Sequence, residues 1–264
     1  MHVVSLHIHP VKSLGGMPVK SSDIDRFGLR WDRRWMVVDE TGKFLTQRQI
    51  PAMALIQASL QEDVVTLIRP QGEVLSFSTA DFINGQSVTV QVWRDQCQAR
   101  EGSEAMNAWL SDALGRRCRL VFMDDACKRP VDEQYAGAGH TVSFADGFPL
   151  LLTQQSSLDE FNAHMSITIG MERFRPNLVV AGAEPWAEDQ WRVLQVGAMV
   201  FDVVKPCSRC AIPTINPLDA SKQPEVFRTL KQYRSQNGNV YFGQNLVPRT
   251  EGTIRVDDPV QVLE

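Results

Sequence analysis

The chain has 264 residues, 43% of them hydrophobic and 22% charged, with a formal net charge of −4. That apolar content supports a sizeable core in two lobes, and the acidic balance argues against general binding of nucleic acid or anionic membranes. No apolar run approaches the roughly 18 residues that a membrane-spanning helix needs. The start, Met1-His-Val-Val-Ser-Leu6, enters a strand pattern with no secretory signature. The five cysteines, an odd and scattered set at 97, 118, 127, 207 and 210, read as reduced thiols of a cytoplasmic protein rather than a disulfide framework.

In chain order, Val3 to His9 alternates as a short strand, with His7 and His9 on one face. With no third histidine nearby, that pair reads as structural. Pro10 to Gly16 turns through two glycines and offers the Lys12 ammonium and Ser13 hydroxyl to a phosphate-like group. Arg33 and Arg34 precede a strand over Trp35 to Val38 and point to opposite faces, so one of them faces inward and needs an anionic partner, Asp32 or Asp39 or a ligand. Four more strand patterns follow at Leu55 to Leu60, Val64 to Ile68, Val74 to Phe77 and Ser87 to Trp93, punctuated by Glu62-Asp63, Pro70-Gln-Gly72 and Asn84-Gly85. Ser103 caps a helix that stops at Gly115. Cys118 to Met123 is a strand, Asp124 to His140 reads as a long exposed loop, and a lobe boundary is expected near 120.

Asp146 and Gly147 lie in a turn before the apolar run Leu150 to Leu152, and Ser156 and Ser157 are expected to cap a helix carrying Leu158 and Phe161. Arg175 and Asn177 stand two apart at the start of another strand, a pairing suited to anion and amide recognition. Glu184 to Trp191 reads as a surface loop, Glu225 to Tyr233 as an amphipathic helix, and Gly243 as a strand glycine that could admit a ligand.

The densest chemistry is Lys205-Pro-Cys-Ser-Arg-Cys210. Met199 to Val204 reads as a strand, and Pro206 is expected to close off its pairing and leave Cys207 to Cys210 as a turn. Two thiols, the Ser208 hydroxyl and the Arg209 guanidinium would then fall within four residues. A zinc half-site lacks a second pair of ligands. A dithiol redox pair expects to open a helix, which Pro213 and Pro217 oppose. The third reading is a single thiolate on a metal carried by an anionic organic cofactor, with basic residues elsewhere holding the anion.

His9-Pro-Val-Lys-Ser13, Asp32-Arg-Arg-Trp35, Phe174-Arg-Pro-Asn177, Lys205-Pro-Cys-Ser-Arg-Cys210 and Phe242-Gly-Gln-Asn245, closing on Gly252 to Pro259, together resemble MOSC-domain proteins of the bacterial YcbX and mitochondrial amidoxime-reducing component type. The resemblance runs in order over essentially the whole chain. It implies an α+β, mostly β fold: an N-terminal β-rich MOSC-associated domain at 1–120 and a C-terminal MOSC β-barrel with a few helices at 121–264. A molybdenum-pterin cofactor (Mo-molybdopterin) would lie between them. Carried over by position, Cys210 becomes the metal ligand, and Lys12, Ser13, Arg33, Arg175, Asn177, Ser208 and Arg209 the cofactor contacts. Asp146 approaches the cofactor as a candidate proton donor, and Cys207 has no assigned role.

The implied activity is reduction of N-hydroxylated substrates. The Cys-x₄-Cys-x₂-Cys spacing of a plant-type iron–sulfur domain is missing, so electrons are expected from a separate ferredoxin- or flavoprotein-like donor. Two alternatives stand beside it. One is a molybdenum cofactor or sulfur carrier using a persulfide on Cys207 or Cys210. The other is a β-rich interaction module without metal.

Overall fold

The computed structural model describes all residues from 1 to 264, and the fold is mostly β with four α-helices. The largest sheet has nine strands. Its path runs Val260–Val262, Val193–Val196, Met199–Ser208, Asn239–Pro248, Leu150–Gln154, Leu178–Ala181, His2–Ile8, Met17–Val19, with Ser235–Gln236 on the flank. Leu150–Gln154 and Leu178–Ala181 pair in parallel, bridged by the helix Gln155–Ala163, and the other pairings are antiparallel. A four-stranded sheet joins Trp35–Val38, Arg119–Phe122, Asp95–Glu101 and Ser87–Val92, and two three-stranded sheets complete the molecule.

The lobes are interleaved. The first strand, His2–Ile8, pairs with Leu178–Ala181, and Val3, Leu6, Ile8, Ile24 and Leu29 share one core with Leu152, Phe201, Leu246 and Ile254. The expected boundary near 120 falls inside the strand Arg119–Phe122, whose Leu120 and Phe122 belong to the other large core with Trp35, Phe77 and Leu110. The chain therefore enters the second lobe, leaves to build the first, and returns. His9 to Ser13 and Asp32 to Arg34 are consequently carried along the seam between the lobes.

The helix Glu104–Leu114 starts and stops as its sequence dictates: the Ser103 hydroxyl accepts from the Met106 amide, and Gly115 takes the left-handed conformation with φ 64°. Several expectations need correction. The strand Met199–Ser208 does not end at the proline. It pairs Pro206 with Gln244 and runs to Ser208, because register shifts between Val203 and Lys205 and between Pro206 and Ser208 absorb the missing donor. Gly243 has φ 79° and a Cβ there would lie 2.5 Å from the Leu152 carbonyl oxygen, so it serves close strand packing rather than a ligand.

Ser156 and Ser157 do not cap their helix. Ser156 donates to the Ala183 carbonyl and Ser157 to a carboxylate oxygen of Glu188. Glu188 itself is fully buried, so Glu184 to Trp191 is not a plain surface loop. Nor is Asp124 to His140 wholly exposed: it contains a short helix, Glu133–Ala136, and a buried Arg129.

Candidate functional site

The seam opens into a cavity of about 420 Å³, and Lys12, Ser13, Arg33, Asp146, Arg175, Asn177, Ser208, Arg209 and Cys210 all line it. The two irregularities in Met199–Ser208 deliver Cys207, Ser208 and Arg209 to one wall, and Cys210 follows directly, partly exposed. Arg209 donates to the Cys207 sulfur at 3.0 Å and to the Phe174 carbonyl at 2.8 Å, while its Nε is buried without a partner. Phe174 is held in turn by a face-to-face stack on Phe242 with ring centroids 3.7 Å apart.

From the other lobe, Lys12 is buried and donates to the Phe144 carbonyl and to Asp146 Oδ1, both at 2.6 Å. Burial lowers its pKa to about 8, against the pull of Asp146. Arg33 is locked by Asp32, by the Arg175 carbonyl at 2.9 Å and by Asn177 Oδ1 at 3.3 Å. Asp32 also accepts from the His9 amide at 2.7 Å. Of the pair before the strand, it is Arg33 that faces the cleft, with Asp32 as partner, while Arg34 binds the Met123 carbonyl and Asp125.

Arg175 and Asn177 do not share a strand face. Both precede Leu178–Ala181, and Arg175 adopts φ 55°, closing a 3₁₀ turn. Arg175 donates to the Leu14 carbonyl at 2.6 Å, and its Nη2 is buried without a partner. Burial and the neighbouring Arg33 both lower its pKa, so its charge is held at a cost that an anion would relieve. Asn177 is spent inside the protein: it accepts from the Leu151 amide at 3.1 Å and donates to the His7 carbonyl at 3.2 Å. It positions Arg33 rather than reaching freely into the cavity. His9 stays neutral, its pKa well below the usual value through burial and through Arg175 and Arg33, and its Nε2–H donates to the Pro176 carbonyl at 3.2 Å.

Asp146 is not built to donate a proton. Desolvation works in that direction, but Lys12 and the Trp93 indole, which donates to the same oxygen at 3.1 Å, hold its carboxyl well below the usual range. It is a carboxylate at neutral pH and serves as an anchor.

Lys12, Arg33, Arg48, Arg175, Lys205 and Arg209 line the cavity against the single carboxylate of Asp146. In a chain of net charge −4 this is a strongly positive hollow. Two buried guanidinium nitrogens lack partners there, and a half-exposed thiol stands beside them. No group of three or more His, Cys, Asp or Glu side chains is arranged to hold a metal, so a metal at Cys210 would take its remaining ligands from an organic group. A phosphate-bearing dithiolene cofactor satisfies both the cations and the thiol. Sequence reasoning missed Arg48, Trp93 and Lys205 on the cavity wall and Arg129 behind it. Trp93-Arg94 is the two-residue turn between Ser87–Val92 and Asp95–Glu101, and the strand pattern Ser87 to Trp93 hides it.

A mostly β fold whose seam collects six basic side chains beside two partly exposed cysteines defines a protein of two interleaved lobes with a cleft suited to an anionic ligand. Residues 1–117 match the MOSC N-terminal beta barrel domain and residues 139–261 the MOSC domain. The chain belongs to the MOSC-domain family. It is 30% identical to mitochondrial amidoxime-reducing component 1 of Mus musculus over 99% of this chain and 82% of that protein, and equally so to its Homo sapiens counterpart. It is also 27% identical to the molybdenum cofactor sulfurase of Oryza sativa subsp. japonica over 92% of this chain, spanning 32% of that longer protein. Within the family the chain is of the amidoxime-reducing component type.

Proposed function

We propose that the protein is a molybdenum-cofactor-dependent reductase that cleaves the N–O bond of N-hydroxylated compounds. The observation that carries this reading is the half-exposed Cys210 among unneutralised cations from both lobes. The similarity to amidoxime-reducing components supports the substrate class.

The cofactor, when bound, supplies a Lewis-acidic metal and a two-electron store. Cys210 would hold the metal as a thiolate. Lys12, Arg33 and Arg175 would hold the phosphate, each charge-assisted bond contributing on the order of 1.5–3 kcal/mol. The Ser13 and Ser208 hydroxyls and the Arg209 guanidinium complete the cradle. Asp32 and Asn177 fix Arg33, and Asp146 fixes Lys12, so the anion site is preorganised before binding. Conversion of an amidoxime to an amidine consumes two electrons and two protons and releases water. A separate ferredoxin- or flavoprotein-like donor supplies the electrons.

The test is a cofactor-loaded chain given reduced methyl viologen and a small aromatic amidoxime, with amidine as the readout. Turnover that vanishes in Cys210→Ala supports the mechanism, and ordinary turnover by that variant removes it. A second reading, a cofactor or sulfur carrier, draws on Cys207, which lies in the same cleft against Arg209, and on the sulfurase similarity. Molybdenum bound without any amidine formed would favour it.

A further inference from the structure

Arg129 does not line the cavity, yet it is 2% exposed and fully engaged at its back. Its Nη1 donates to the Ser143 and Ala145 carbonyls at 2.7 and 2.5 Å, its Nη2 to the Asp146 carbonyl at 3.2 Å, and its Nε to Asp95 Oδ2 at 2.9 Å. The intervening carbonyl, that of Phe144, points the other way and accepts from Lys12. Carbonyls of one short bent stretch thus serve two cations, those of Ser143, Ala145 and Asp146 the structural Arg129 and that of Phe144 the Lys12 that faces the cofactor site. Asp95 lies two residues beyond Trp93 in the hairpin that joins Ser87–Val92 to Asp95–Glu101, and Trp93 supplies the second hydrogen bond to Asp146.

We infer that Arg129 is a positioning residue for the cofactor site: it fixes the 143–146 backbone and the Trp93 hairpin so that the Phe144 carbonyl and the Asp146 carboxylate hold the Lys12 ammonium in the cleft. A planar fork is required, because donors must reach three backbone carbonyls and a carboxylate at once, and a lysine's single point of charge cannot. Removing it leaves three inward carbonyls without donors, and the stretch carrying Asp146 turns to find new ones. This inference rests on the proposed cofactor reading for its ligand, and not on the reductase chemistry.

The test uses Arg129→Gly, Arg129→Lys and, as control, Arg119→Gln, which breaks a similar ion pair with Glu101 at 2.7 Å outside the cavity. Molybdenum and pterin content are measured on the isolated chains, and pyrophosphate binding on the cofactor-free chains. The expected result is a loss of pyrophosphate affinity of about 10- to 100-fold in Arg129→Gly, as for other outer partners of a site. Low, non-denaturing guanidinium should restore it. Arg129→Lys should fall between, and Arg119→Gln should melt earlier while binding normally. Should the glycine variant not fold, the lysine variant decides: binding equal to that of the unaltered chain overturns the inference. So does equal loss in Arg119→Gln, or a folded Arg129→Gly that guanidinium does not rescue. An unaltered chain that binds pyrophosphate but never carries molybdenum would sink the cofactor reading and leave the role of Arg129 standing.

Discussion

Lys12 Nζ and Asp146 Oδ1 lie 2.6 Å apart although 134 positions separate them in the chain. The pair is lopsided: the lysine side chain is 6% exposed and the aspartate side chain 67%. The lysine bears the burial and the carboxylate answers it from the solvent side. Because a phosphate prefers the charged ammonium, anion affinity should be full at neutral pH and fall as pH rises through about 8, where Lys12 loses its proton. Calorimetric titration of the cofactor-free chain with pyrophosphate across pH 6 to 10 checks this. A flat profile would show that Lys12 does not hold the anion.

Asp146→Asn removes the group that raises the Lys12 pKa, so that fall should move to lower pH. The loaded variant's turnover should lose no alkaline limb that the unaltered chain shows, since Asp146 is already a carboxylate and supplies no proton. An alkaline limb of the unaltered chain that disappears in Asp146→Asn would restore it as the proton donor.

Glu188 is fully buried, accepts from Ser157 at 2.9 Å and Gln154 at 3.3 Å, and has its other oxygen unpartnered. Burial raises its pKa from 4.5 to about 7. The folded state therefore binds this proton more tightly than the unfolded chain. Stability should decline as pH rises from about 4.5 to about 7 and level off above. Glu188→Gln should stabilise the protein at pH 8 by up to roughly 3 kcal/mol, with the gain vanishing toward pH 4.5. Urea unfolding at the two pH values measures it, and a gain independent of pH would contradict the cause.

Gly243→Ala should cost about 1–3 kcal/mol, because the left-handed backbone and the Leu152 carbonyl both oppose a side chain. Gly243 lies in the irregular stretch of Asn239–Pro248 opposite Pro206 to Ser208, so cofactor content should drop with the melting temperature. Unchanged values for both would show that the bulge is not needed.

Most of the residues that line the cavity were legible through the resemblance of their segments, taken in order, to MOSC-domain proteins. A lysine and a serine before paired glycines, or an arginine between two cysteines, suits an anion or a metal but also describes an ordinary turn. It is the resemblance to the MOSC pattern that joins these segments into one site. What the sequence hid depends on partners far away. Nothing near Arg129 indicates that its fork will meet carbonyls at 143, 145 and 146. Glu188 sits in an acidic, polar segment and is buried only because Gln154 and Ser157 reach it from the neighbouring helix end. Pro206 looked like a strand stop because the register shifts that accommodate it belong to the pairing with Asn239–Pro248. The helix Glu104–Leu114, whose cap and stop are both local, was read correctly.

The most direct measurement is the molybdenum content of freshly isolated protein, made in cells that synthesise the cofactor, for the unaltered chain, Cys207→Ala and Cys210→Ala. The expected result is stoichiometric molybdenum in the first two and almost none in the third. Equal molybdenum in Cys210→Ala, or none in the unaltered chain, would contradict the assignment of that thiol as the metal's anchor.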